Sequence, residues 1–338
     1  MDGGICLAGN LIVDRLKFIE RWPCETELTT ILRQENALGG LACTCAIDIA
    51  KLDPALPVSV VGIVGEDDLG DAVLAGFAQH PGIDASLVKR CGETSYTDVM
   101  TAPDGRRTFF VFRGANARLS PDDFDFSVLR AGILHIGYIL LLDALDGPDP
   151  GGEYETAMCR VLDGARKAGI LTSVDVVTEA GDRFQKLVRP ALAYTDVLSI
   201  NETEAAAVTG VPLRDGGRLL EGNLEPCARE LAACGVAKWA CIHMPELSCG
   251  LDVAAGAFYR RSSVQLPEGY VRSSVGAGDA FAAGLLLGLY RGEPLPEALR
   301  YGNAAAAVSL SSAGASVALK PLGDVLDEMA PYGGNALL

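Results

Sequence analysis

The chain has 338 residues, 49% of them hydrophobic, which supplies a large buried core and excludes a disordered segment. Its 28 lysines and arginines stand against 44 aspartates and glutamates, a net charge of −16 that disfavours nucleic acid and anionic membrane surfaces as partners. The 10 cysteines include no CxxC pair and sit mostly among apolar residues, so they read as buried reduced thiols rather than zinc ligands or a disulfide framework.

The first residues, Met1-Asp2-Gly3-Gly4, carry an acid where an export signal carries basic residues, and no apolar stretch is long enough to span a bilayer. A soluble, cytoplasmic protein is expected. Strand-length apolar runs recur at 5–8, 58–64, 133–137, 171–177, 197–200 and 239–244. Helix-like segments lie between them at 41–52, 69–79, 154–168, 202–209 and 225–233. The alternation predicts an α/β fold in one domain over 1–338, a mostly parallel central sheet with helices on both faces. Two stretches break the rhythm. Residues 15–33 alternate polar and apolar, and 95–112 have the period of exposed antiparallel strands, with a turn at Pro103-Asp104-Gly105. They predict a small discontinuous β lid over about 13–35 and 94–114.

Four segments carry candidate chemistry. Gly9-Asn10-Leu11-Ile12-Val13-Asp14 ends the first strand, where open α/β sheets place ligands; Asp14 either bonds ligand hydroxyls or closes an Asx turn. Gly39-Gly40 precedes a helix and allows close backbone approach to a ligand, or forms a tight turn. Asn201 and Glu204 share one helix face, where they either organise Mg²⁺ and its waters around phosphate oxygens or cap the helix. Gly276-Ala277-Gly278-Asp279 opens an apolar helix: its backbone N–H groups and the helix dipole make an anion hole, and Asp279 is placed to take a proton from a hydroxyl, or caps the helix. Other phosphate motifs are absent. No Gly-Lys dipeptide exists for a Walker A loop, and Phe281 breaks a G-x-G-x-x-G fingerprint.

The order and joint presence of these segments resemble the ribokinase family of carbohydrate kinases, also called the PfkB family. Val61-Gly62-Ile63-Val64-Gly65-Glu66-Asp67-Asp68-Leu69-Gly70 matches that family's V-G-x-V-G-x-D-x-x-G stretch, and the similarity spans residues 5–322. The resemblance implies that Asp279 is the catalytic base and that Gly276, Ala277 and Gly278 form the anion hole. It implies that Asn10, Asp14, Gly39, Gly40 and Thr44 hold a sugar-like substrate. Asn201, His243 and Asn303 would face the nucleotide, and Glu204 would hold Mg²⁺ through water. The expected function is therefore ATP-dependent phosphoryl transfer to a sugar hydroxyl, under a lid that excludes water.

Several positions depart from the family. Ser273-Ser274-Val275 replaces Asp-Thr-x, so the monovalent-cation site of many relatives is not carried over. Thr44 stands where an Asn is usual, which alters sugar recognition. The nucleotide loop K/T-x-G-x-x-G becomes His243-Met244-Pro245-Glu246-Leu247-Ser248-Cys249-Gly250. His243 is open to a nucleotide role or a structural one. Arg113 either reaches the substrate from the lid or sits in a solvated turn, and Asp143 either faces the pocket or caps a helix. Two alternatives remain at this point: a nucleoside kinase of the same fold, and a non-catalytic ligand-binding relative with a decayed nucleotide loop. The edges of an exposed β lid commonly pair, so a homodimer through the lid is a further expectation.

Overall fold

The computed structural model describes residues 3–179, 181–312, 314 and 316–338. The chain opens with β1 (Gly4–Gly9), β2 (Ile12–Ile19), β3 (Ile31–Gly39) and helix α1 (Leu41–Leu52). β4 (Val58–Val64), α2 (Asp68–Ala78), β5 (Ile83–Asp84) and β6 (Val88–Arg90) follow, then β7 (Tyr96–Thr101) and β8 (Arg107–Phe112). The middle of the chain gives β9 (Ala131–Ile139), α3 (Asp143–Asp146), α4 (Ala157–Lys167), β10 (Leu171–Val176) and α5 (Arg189–Leu192). Next come β11 (Val197–Asn201), α6 (Glu202–Thr209), β12 (Arg214–Asp215), β13 (Arg218–Leu219) and α7 (Leu224–Ala233). The last third supplies β14 (Trp239–His243), β15 (Leu247–Asp252), β16 (Ala257–Ser262), α8 (Ala277–Tyr290), α9 (Leu295–Ser309) and α10 (Leu322–Met329).

The central sheet runs β16-β15-β14-β11-β10-β9-β1-β4-β5, with β6 also on β4. The strands from β4 to β14 are parallel, and β15 and β16 add an antiparallel end. Successive side chains on a strand point to opposite faces, so each strand feeds two cores. Cys6, Ala8, Leu134 and Ile136 pack under α4, α6 and α7, whereas Ile5, Leu7 and Ile133 pack under α1, α8 and α9. Helix positions 41–52 and 202–209 and strand 58–64 fall where the periodicity places them. The helix predicted from 154 starts instead at Ala157, because the Thr156 side chain caps it by accepting from the Cys159 N–H.

Winding proceeds from β1 to β4 on one side and to β9, β10, β11 and β14 on the other. Such a reversal opens a crevice at the carboxyl ends of the strands, the usual ligand position in open α/β sheets. Over that edge lies a second sheet, β3-β2-β7-β8, assembled from the two segments with the odd periodicity. Its first hairpin is longer than expected: β2 begins at Ile12 and β3 runs to Gly39, directly into α1. The chain therefore passes from lid to helix with no loop between them. Gly105, at φ +83, makes the predicted turn between β7 and β8.

Candidate active site

The N-terminus of α8 is the centre of the site. Gly276 precedes it at φ +79, a left-handed conformation that costs a residue with Cβ about 1–2 kcal/mol. The first N–H groups of α8 lie at the positive end of the helix dipole without helical acceptors, that of Ala277 meeting Ser274 O at 3.4 Å. Asp279 is buried in the first turn, and burial pushes its pKa up to about 6. Its Oδ1 accepts a hydrogen bond of 2.6 Å from the Tyr138 hydroxyl at the end of β9, which supports the charged form.

Asp14 reaches the same space from β2 in the lid. Burial first, and the nearby Asp279 charge second, push its pKa up to about 7. A Cβ on Gly39 would stand 2.3 Å from Asp14 Oδ2, so only glycine lets this carboxylate lie against the β3–α1 junction. Thr44, one turn into α1, gives its hydroxyl to Gly40 O at 2.7 Å. Asn10 is buried at the end of β1; its Oδ1 accepts from Asn116 Nδ2 at 3.1 Å, and its own Nδ2 has no partner within the protein. That donor faces no competing acceptor, a costly state for a buried amide unless a ligand oxygen meets it.

On the other side of α8, the His243 imidazole stacks against Phe281 with ring centroids 4.9 Å apart, and its Cε1 would lie 3.3 Å from a Cβ at Gly278. Burial pushes its pKa down to about 4, so a neutral ring borders the start of α8. The altered loop is a tight hairpin in which His243 pairs with Ser248, while Glu246 pairs with Arg214, which also holds Glu202. Asn201 caps α6, its Oδ1 accepting from Thr203 and Glu204 N–H at 2.9 and 3.0 Å, and Glu204 Oε2 returns the box by accepting from Asn201 N–H. The capping role is therefore occupied. Glu204 Oε1 accepts from Thr178, and burial pushes this carboxyl up to about 7.

Two further residues named from the sequence already have partners within the protein. Arg113 lies at the neck of the lid, donating to Leu140 O at 3.0 Å and standing 3.9 Å from Asp143. Asn303 gives its amide to Ser262 O and Asn335 Oδ1 at 3.0 and 3.3 Å, on the tail that follows α10. Sequence reasoning missed Tyr138, Asp175 and Asn116. Asp175 is buried at the end of β10, pushed well up by burial, Glu204 and Asp279; an acid inside an otherwise apolar strand was its signal.

Among the described residues no group of three His, Cys, Asp or Glu side chains is close enough to hold a metal directly. With both Glu204 oxygens already accepting hydrogen bonds, the residues fit a divalent ion held through water and a nucleotide's phosphates. No described helix is long and apolar enough to cross a membrane.

Residues 4–321 match the model of the pfkB family carbohydrate kinases. A ribokinase of Arabidopsis thaliana is 26% identical over 320 residues, covering 92% of this chain and 77% of that protein. An ATP-dependent ribose-1-phosphate kinase of Halopiger xanaduensis is 28% identical over 315 residues, 91% of this chain and 92% of that one. The solved structure of Arabidopsis thaliana ribokinase complexed with ribose and ATP superposes with a TM-score of 0.78 at 23% identity, over 97% of this chain and 99% of that one, a likeness of fold.

Proposed function

This chain belongs to the pfkB family of carbohydrate kinases, and from that premise we propose that it moves the γ-phosphate of ATP onto a hydroxyl of a sugar or sugar-like small molecule. The observation that carries this reading is the buried Asp279 carboxylate at the first turn of α8, one oxygen tied to Tyr138 and the other side open toward Asp14. The acceptor binds between β1, the β3–α1 junction and the lid. Its hydroxyls donate to Asp14, and one of its oxygens takes the free Asn10 amide. Asp279 accepts the proton of the reacting hydroxyl as that oxygen attacks phosphorus. The amides of residues 276–278 receive the phosphoryl oxygens, so the chain contributes position and charge rather than covalent chemistry. Neutralisation of the donor's phosphates is what a Mg²⁺ ion, held through water at Glu204, would supply when bound. A coupled assay of ADP release over pentoses, hexoses, sugar acids, sugar phosphates and nucleosides tests the proposal; release that depends on one acceptor supports it, and silence across the panel contradicts it.

The pH dependence follows from the base. Asp14 and Asp279 both work as carboxylates, so kcat/KM should begin to fall below about pH 7 and fall more steeply below about pH 6, rather than below the ordinary carboxylate value. The titratable groups that face Asp279 are Asp14 from β2, Cys43, Cys45 and Asp48 from α1, Tyr138 from β9 and Asp175 from β10, none of them cationic. Tyr138 holds the charged form by donation. Tyr138→Phe should therefore move the acid limb to higher pH, by about one unit for a hydrogen bond to a charged group. An unmoved limb in both proteins would separate Asp279 from the titration.

We infer further that a second copy of this chain pairs at the lid. Strand β8 is an unpaired edge, and Phe109, Phe110 and Val111 on it are 56%, 55% and 47% exposed. Light scattering after size exclusion should give twice the chain mass, and Phe110→Lys should return it to one; a wild-type monomer at assay concentration contradicts the pairing.

A further inference from the structure

The lid carries its cations in pairs with its own acids. Arg15 and Lys17 both hold Asp98, Arg21 holds Glu27, Arg33 holds Glu35 and Arg106 holds Asp104. Arg107, at the start of β8, is different: among the described residues it has no carboxylate partner. Its guanidinium instead crosses from the far end of the lid to the loop before α8, where Nη1 and Nη2 each stand 3.3 Å from the buried Ser273 Oγ. That same oxygen accepts from Val275 N–H at 3.1 Å, so Arg107 is tied to the backbone that leads into the anion hole. No other lysine or arginine side chain hydrogen-bonds to residues 273–279 among those described.

The charge balance gives this contact its meaning. Asp279 in the first turn of α8 lies close enough to Asp14 for their charges to interact, and a nucleotide's phosphates would add negative charge there. Backbone amides and a helix dipole contribute partial charges only, about half an elementary charge at a helix end. A planar guanidinium without a counter-ion, half-buried and fixed at the edge of that hole, is suited to phosphoryl oxygens.

We propose that Arg107 is a lid-borne cation for phosphoryl transfer, placed beside the anion hole when the lid lies over the crevice. The proposal rests on the kinase reading above. In the step, the bond between the acceptor oxygen and the γ-phosphorus forms and the bond between that phosphorus and the β–γ bridging oxygen breaks. The acceptor's proton goes to Asp279 and ADP leaves with the electron pair. Arg107 exchanges no proton; it faces the equatorial oxygens of the phosphoryl in transit. Because the cation rides on the lid, its charge reaches the loop only while the lid covers the acceptor, which couples transfer to an occupied sugar site and leaves ATP poorly hydrolysed without one.

The test uses the full chain with Arg107→Ala, Arg107→Lys and Asp279→Asn, assayed on the acceptor found in the panel. Arg107→Ala should lower kcat about 100-fold, the loss typical of one preorganised electrostatic partner, with the acceptor KM little changed. Arg107→Lys should recover part of the rate, and added guanidinium chloride at millimolar concentration should restore part of it to Arg107→Ala. An alanine variant with wild-type kcat overturns the proposal, as does a lost kcat that neither lysine nor guanidinium restores. Asp279→Asn separates the two layers: if it is inactive while Arg107→Ala is unimpaired, only the lid cation fails; if it keeps full activity, Asp279 is not the base, and if the wild-type chain releases no ADP with any acceptor, the kinase reading fails.

Discussion

Asp279→Asn is expected to lower kcat about 10³-fold while acceptor and nucleotide still bind. The carboxylate is the one proton acceptor at the first turn of α8, and general bases contribute roughly 10²–10⁴-fold. Asparagine keeps the size and can still take the Tyr138 hydrogen bond at its carbonyl, so the local packing survives. What it loses is the capacity to accept a proton from the acceptor hydroxyl. Calorimetry on the variant should show acceptor binding close to wild type, and single-turnover assays should show the transfer step itself slowed. Retention of more than a tenth of wild-type kcat would remove Asp279 from the role.

Asp14→Asn should act on the other term. Asp14 lies in the lid sheet, pressed against Gly39, and its carboxylate is the acidic wall of the acceptor space. Hydrogen bonds from ligand hydroxyls to a charged acceptor are worth about 1.5–3 kcal/mol, so the acceptor KM should rise roughly 10- to 100-fold. The ATP KM should stay near its wild-type value, because the proposed nucleotide side is bordered by His243, which packs on Phe281 and Gly278 of α8 rather than on Asp14. A rise in the ATP KM equal to that of the acceptor would show that Asp14 shapes the whole cleft rather than the acceptor side.

Much of the sheet was legible because its central strands are buried on both faces and read as continuous apolar runs bounded by turn residues. Val58–Val64 and the helix Leu41–Leu52 are cases where period and boundary agree with the structure. The lid was legible through its contrasting period of two, although β3 continues to Gly39 and leads through Gly40 directly into α1. The site was legible where a backbone requirement leaves a trace in sequence, as at Gly39 and Gly276.

Tyr138 and Arg107 were not legible for a different reason. Their importance comes from partners 141 and 166 residues away, Asp279 and Ser273, which no local period encodes. Ser273 is instructive. From sequence its substitution for an acid reads as the loss of a cation site, whereas in three dimensions its hydroxyl receives the arginine that the lid brings across. Asn201 shows the converse: an Asn-x-x-Glu helix start permits both a capping box and a nucleotide contact, and the folded chain makes the capping box.

The measurement that bears most directly on the account is a crystal structure of the wild-type protein with its acceptor and a non-hydrolysable ATP analogue. The account predicts the reacting hydroxyl within hydrogen-bond reach of Asp279, roughly 2.6–3.2 Å, and the γ-phosphate facing the amides of residues 276–278. A γ-phosphate bound away from the start of α8, or an acceptor whose hydroxyls all turn from Asp279, would contradict it.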